Sequence, residues 1–348
     1  MDDFSTNRHH EIQQPQSTAG APTRHPDLSF PDGTIAILTG SVYFLVHKGL
    51  LCRHSVPFQQ ATKALDQTRS KQLEGRPVLH VTDSPHDMCH FLSALYDGIL
   101  GVKLDPPNFP VVDALLRLTT KYQIKHIRSS LLREIQRTWP VRLAQWEVRE
   151  AEATDSSGQY DARQHYPHPI LVINLARVIQ APELLPSAFY DLSRGVVSET
   201  TAGYTDFEST LHQLSQEDLM NVLKGREHAS RFLSTFIVNE LEGRAPSVNC
   251  VHGGDEDTGH RRACQAAFES ITFEILRDVN GITHRSSDPL FAIVDAELMQ
   301  TRDDAHSILR ACEFCRLEFG AAVDQARAEF WGKMPCWFGV DLEAGVWA

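Results

Sequence analysis

An α+β domain followed by an all-helical region is the architecture this sequence predicts, on three observations. Two short apolar runs, residues 34–38 and 42–46, are rich in β-branched and aromatic residues and flank Thr39-Gly40-Ser41, which reads as a hairpin. A third run, residues 77–81, supplies another strand, so a three-stranded sheet is expected within residues 28–140. Beyond residue 140, apolar residues recur at spacings of three and four, interrupted by polar stretches near 153–169 and 243–262.

Taken in order, residues 1–27 are polar and almost without apolar periodicity, and they read as a disordered tail in which His9 and His10 are inert. After the hairpin, Leu50 and Leu51 sit in a short helical turn. Ser55 precedes Val56-Pro57 as an N-cap would, with Pro57 in the first turn. The stretch Thr82–Pro85 caps a helix that carries Met88, Phe91, Leu92 and Leu95 on one face and ends at Gly98. Pro106 and Pro107 break the loop that follows. Two helices then present Val112, Leu115, Leu116 and Tyr122, and Ile124, Ile127, Leu131, Leu132 and Ile135, closed by Trp139-Pro140. Helices are further expected over 141–150, over 170–179 and from Pro182 through Leu192. The longest clear one starts at Ser215, with Glu217 and Asp218 complementing its dipole. Segments 263–279, 288–299 and 303–331 complete the helical region. It shows no internal repeat, so solenoid partners are not expected.

Composition narrows the function classes. With 348 residues, 42% of them hydrophobic and 22% charged, the chain can bury a large core. A formal net charge of −12 has the wrong sign for tracking phosphates, so no nucleic-acid partner is expected. No apolar run reaches the ~20 residues of a membrane span, and the N-terminus lacks the order of a signal peptide. Seven scattered cysteines and no Asn-x-Ser/Thr acceptor fit a reducing compartment, so an intracellular protein is expected.

A spaced set runs through the first domain: Val42-x-Phe44-x-Val46-His47-Lys48, then Leu50-Leu51, Ser55-x-x-Phe58 and Phe91-x-x-x-Leu95-Tyr96-x-Gly98. In this order it resembles the BTB/POZ domain, over about residues 28–138. Asp32-Gly33 and the stretch 47–55 are most similar to the BTB proteins of filamentous and mushroom-forming fungi. The C-terminal run Cys312-x-x-Cys315, Phe330-Trp331, Pro335 and Phe338 is similar to a tail found after the domain in many of them, with Met334 in place of the usual leucine. The resemblance implies protein–protein interaction. It puts His47 and Lys48 where the groove and dimer surface of the domain meet, and gives them an acidic partner, here Asp32. That residue is two positions ahead of the strand, where many relatives have the acid directly before it. The resemblance also admits a homodimer through a self-complementary patch, for which Leu28, Phe30, Phe44, Leu50, Leu51 and Phe58 are the candidates. Their alternative role is intradomain core.

Enzyme motifs are missing: there is no Gly-x-Ser-x-Gly elbow, no phosphate loop and no His-Glu-x-x-His. The metal-ligating types gather as Cys250, His252, His260, Cys264, Cys312 and Cys315. Zinc takes four such ligands, but Cys312 and Cys315 also fit the apolar helix face with Phe319, Val323 and Ala326. The cysteines are read first as core, and no cofactor is expected. The resulting expectation is a non-enzymatic interaction protein that self-associates or recruits a protein partner. A cullin-based ubiquitin-ligase adaptor is one option, although Phe58-Gln59-Gln60 lacks the acidic residue often found there. The alternative is a transcriptional regulator acting through the same domain.

Overall fold

In the computed structural model the described residues are 21–66, 71–99, 101–156, 158–254, 259, 262–277, 288–301 and 310–347. They fall into two units, one built from the chain up to Gly98 with Lys121–Lys125, the other from Ile99–Thr120 and from His126 onward.

The first unit is organised by a five-stranded sheet of β1 (Thr23–Arg24), β2 (Ile35–Thr39), β3 (Val42–Val46), β4 (Gln72–Leu73) and β5 (Arg76–Val81), in the order β1-β3-β2-β5-β4. The hairpin pairs Ile35 with Val46 and Thr39 with Val42, and Gly40 turns it at a φ of 53°, where a side chain would be strained. The three expected strands form its centre, and two further strands of two residues each stand at its edges. One of these, β1, runs parallel to β3 from within the segment expected to be a tail; residues 1–20 of that expectation lie outside the described residues. Because β5 runs parallel to β2, the chain must cross over between them, and it does so through α1 (Lys48–His54) and α2 (Val56–Asp66).

Capping follows the residues that announced it. Ser55 accepts the amide hydrogen of Phe58 (3.1 Å) while its own hydroxyl donates to the carbonyl of Tyr122 (2.6 Å), tying the start of α2 to the returning segment 121–125. Ser84 accepts from Asp87 N–H at the start of α3 (Pro85–Asp97). Phe58 is buried, stacked on Tyr122 with centroids 4.3 Å apart and against Phe91, a burial that contributes about 2–3 kcal/mol.

The second unit contains α4 (Phe109–Lys121) and α5 (Lys125–Thr138), apart from the ends that return to the first unit, then α6 (Leu143–Glu152), α7 (Ala162–His165), α8 (Pro169–Ile179), α9 (Leu185–Ser193) and α10 (Val197–Ala202). A small ribbon, β6 (Tyr204–Thr205) with β7 (Leu211–His212), leads into α11 (Gln216–Phe236), α12 (Ala263–Arg277), α13 (Pro289–Thr301) and α14 (Glu313–Trp337). Every residue of α9 is buried, and α8, α11 and α14 pack around it. Burial on all sides puts even its polar members, Ser187, Asp191 and Ser193, inside the protein.

Two differences from the sequence reading have local causes. The stretch 153–169, expected to be a loop, contains α7, because the carboxylate of Asp161 accepts from the amides of Arg163 and Gln164 and so supplies a cap. Helix α14 continues past 331 and through Pro335, where a break would be expected. Proline cannot donate to the carbonyl of Trp331 four residues earlier. The indole N–H of Trp347 donates there instead, at 2.7 Å, with the two indole rings stacked 4.9 Å apart. Among the described residues no helix is long and apolar enough to cross a membrane.

Candidate functional site

The sequence-derived surface residues separate into two groups. Phe44, Phe58 and Leu51 are fully enclosed in the first unit, and Leu28 is buried as well. Phe44 points to the side of the hairpin that packs inward, where it stacks on His25 at 4.9 Å. Phe44, Phe58 and Leu28 thus stand in the intradomain core, the alternative role that the sequence left open for them. Hydrophobic residues that occupy the inward positions of a strand or helix are core before they are interface.

Phe30, Asp32, His47 and Lys48 remain at the surface, with Leu50 half-buried. A tight turn creates the site: Gly33 N–H donates to Phe30 O (3.0 Å), and Phe30 N–H to Leu45 O (2.8 Å). Gly33 lies so close to the β3 backbone that a Cβ would stand 2.8 Å from the carbonyl carbon of Leu45, so only glycine fits. This turn swings Asp32 over the end of β3, which places its Oδ2 3.2 Å from Nε2 of His47. The two-residue gap before the strand is thus closed by the turn. His47 does not cap α1 with its side chain; its Nδ1 lies 2.8 Å from the hydroxyl of Tyr96, which also accepts the His47 amide hydrogen. A histidine with Nε2–H donating to Asp32 and Nδ1 accepting from Tyr96 satisfies every partner. The hydrogen bond from His47 holds the Asp32 carboxyl below its usual range, and burial pushes the Tyr96 phenol above its own. Phe30 stacks on Tyr96 at 4.6 Å beneath this pair. Lys48 is half-buried, its amide hydrogen held by Thr34 Oγ1 at 2.9 Å.

A second polar assembly, which sequence reasoning missed, lies within the second unit. Asp191 on α9 accepts from Arg149 (2.8 Å), Arg163 (2.9 Å) and Arg194 (2.5 Å). Arg194 also binds Glu150 (2.7 Å) and Asp288 (2.6 Å), and Arg149 binds Glu150. Among the described residues this sets three guanidinium groups against three carboxylates. The arginines Arg149 and Arg194 lie over the Trp146 ring at 4.5 and 4.9 Å. Burial opposes ionisation of Asp191, but the surrounding arginines win and hold its carboxyl well below the ordinary range. The Tyr160 hydroxyl accepts from Arg149 (3.2 Å) and Arg194 (2.8 Å) within the same network, and Arg163 carries it to the surface.

The third assembly is made of sulfur. The Sγ atoms of Cys250, Cys264, Cys312 and Cys315 all lie within 4.8 Å of one another, with Cys250 3.7 Å from Cys264 and 3.8 Å from Cys312. None of the seven cysteines forms a disulfide. Cys312 is the N-cap residue of α14 and Cys315 lies in its first turn, Cys264 is the second residue of α12, and Cys250 sits in a turn in which Cys250 N–H donates to Ser247 O and Gly253 N–H to Cys250 O. Backbone amides point at the sulfurs: Ser247 N–H donates to Cys315 Sγ (3.3 Å) and Cys312 N–H to Cys264 Sγ (3.2 Å). Burial pushes the Cys264 thiol up to about 11; at Cys312 burial acts the same way, but the amides of Cys315 and Val251 outweigh it and bring the thiol down to about 6. The expected helix-face stripe is also present, since Cys315, Phe319, Val323 and Ala326 are all buried, but a stripe does not account for Cys250 and Cys264 meeting it. His252 is not part of the cluster, and His260 lies outside the described residues.

The sequence was compared with protein-family models and with curated proteins, and nothing matches in either comparison.

Proposed function

We propose that this chain is a non-enzymatic, intracellular interaction protein whose first unit binds a second copy or another protein in the manner of the BTB domains it resembles. The observation that supports the reading best is the Asp32–His47 pair standing over the half-exposed rings of Phe30 and Tyr96. In the resembled domains the positions of His47 and Lys48 lie where the groove meets the dimer surface, and an acidic residue, here Asp32, is their partner. An aromatic base with a polar, pre-oriented rim is also what interfaces favour, since the rings supply apolar area and the pair fixes register. The element order around it gives further support: a hairpin, a helical crossover, a third strand parallel to the first of the hairpin and an amphipathic helix.

Light scattering of the full chain across the micromolar range, together with affinity capture from a cell extract, tests the reading. A dimer, or a captured protein set, that Asp32→Ala with His47→Ala abolishes without loss of thermal stability is expected. A strict monomer whose wild-type and variant forms recover the same proteins overturns it. Capture of a cullin subunit by the wild type alone marks an adaptor, and capture of chromatin proteins alone marks a regulator.

A further inference from the structure

We propose that Cys250, Cys264, Cys312 and Cys315 bind one zinc ion as a closed, structural tetrathiolate centre that clamps the start of α12 and the start of α14 to the 247–253 turn. The argument begins with distances. A tetrahedral zinc centre with Zn–S bonds of ~2.3 Å has sulfur–sulfur edges of about 3.8 Å. The two measured edges, 3.7 and 3.8 Å, match that value, and the remaining pairs stay below 4.8 Å. A disulfide would need a separation of about 2.05 Å.

Chain geometry gives the second argument. The four sulfurs come from three separate segments spread over residues 250–315, and no hydrophobic requirement brings four cysteines to one point. The other three, Cys52, Cys89 and Cys336, are not part of the cluster. The turn that carries Cys250 is itself fastened to α14, because the hydroxyl of Ser247 bonds the carboxylate of Glu318 and its amide reaches Cys315. Amide donors at the sulfurs are the outer shell that orients thiolate ligands and offsets their charge. Two helix N-termini, those of α12 and α14, add positive dipole ends to the same place, which favours thiolate over thiol.

Donor chemistry selects the metal and its role. Four soft thiolates leave no position for water or substrate, which is the pattern of structural rather than catalytic zinc. Binding converts four thiols and Zn²⁺ into a centre of charge −2 and releases one proton for each thiol still protonated, with no change of oxidation state. This inference stands on the second unit alone and is independent of the proposed interaction surface.

The test uses the full chain, purified under reductant without added metal. Elemental analysis is expected to find about one zinc per chain, retained through gel filtration. Replacement of that zinc by Co²⁺ is expected to give the visible absorption of tetrahedral cobalt–thiolate. A strong chelator should lower the melting temperature of the wild type. Cys312→Ser is the variant of choice, because serine is a favourable N-cap and keeps the start of α14; it should lose the metal, while Cys336→Ser, at an exposed position, should keep it. Should Cys312→Ser fail to fold, metal content and the cobalt spectrum of the wild type still decide. Wild-type protein that holds no stoichiometric zinc, takes up no cobalt and titrates with all its thiols free overturns the proposal. Stoichiometric iron, or two disulfides among the four cysteines, would do so equally.

Discussion

Replacing Asp191 with asparagine should be among the most damaging isosteric changes in this protein. The carboxylate is buried on α9 and accepts from Arg149, Arg163 and Arg194 at 2.8, 2.9 and 2.5 Å. Asparagine keeps the volume but removes the charge, and its amide nitrogen would turn hydrogens toward guanidinium groups that are themselves only donors. The knot then holds three cations against two anions. Breaking a buried ion pair on one side costs about 3–5 kcal/mol because the remaining charge is left uncompensated. At roughly 2–4 °C per kcal/mol for a domain of 150–250 residues, the melting temperature should fall by about 6–20 °C. Arg163 provides the internal control, since its side chain is 42% exposed whereas that of Arg149 is 1% exposed. Arg163→Gln alone should cost about 1 kcal/mol or less. Added to Asp191→Asn it removes the surplus cation, so the double variant should be more stable than Asp191→Asn by about 1 kcal/mol or more. Differential scanning fluorimetry followed by urea titration measures both. Additive losses in the double variant, or an Asp191→Asn protein within about 1 kcal/mol of wild type, would show that Asp191 does not hold the arginines together.

Three other outcomes follow from local geometry. His168 caps α8 by accepting from Ile170 N–H and stacks on Tyr204 at 4.2 Å; burial first, and Arg163 second, bring its pKa down to about 3. A folded pKa below the unfolded value means that its stabilising contribution is whole above pH ~6.5 and is lost as pH falls from there toward 3, at up to ~1.4 kcal/mol per unit. His168→Asn, which keeps a capping side chain, should flatten that part of the stability profile relative to wild type; parallel profiles would contradict the assignment. Gly33→Ala should cost about 1–3 kcal/mol by driving a methyl into the β3 backbone, and should also weaken any association that depends on Asp32. Unchanged thermal stability would show that the turn can yield. Trp347→Phe should destabilise by about 1–3 kcal/mol, because it leaves the Trp331 carbonyl at Pro335 without its indole donor; chemical denaturation with no shift of the midpoint would count against that role.

Most of the local structure is legible in the chain, because short-range periodicity and capping encode it. The hairpin around Gly40, the caps at Ser55, Ser84 and Ser215, and the amphipathic helices could be read from residues a few positions apart. The chain also makes visible every member of the sulfur cluster and of the Asp32–His47 pair. What those residues do together is set by the packing of segments far apart in the chain. Whether Phe44 and Phe58 face a partner or the core depends on which side of the sheet the crossover helices cover, and no local pattern states it. The meeting of Asp32 with His47 depends on a turn whose necessity lies in the approach of Gly33 to Leu45 across the sheet. Cys250 and Cys312 are more than sixty residues apart in the chain but 3.8 Å apart in space, a convergence that arises from the fastening of the 247–253 turn to α14 through Ser247 rather than from spacing. The same holds for Asp191: only burial of α9 on all sides turns an ordinary acidic position into the centre of a charged knot, because a charge enclosed away from water must find its partners within the protein.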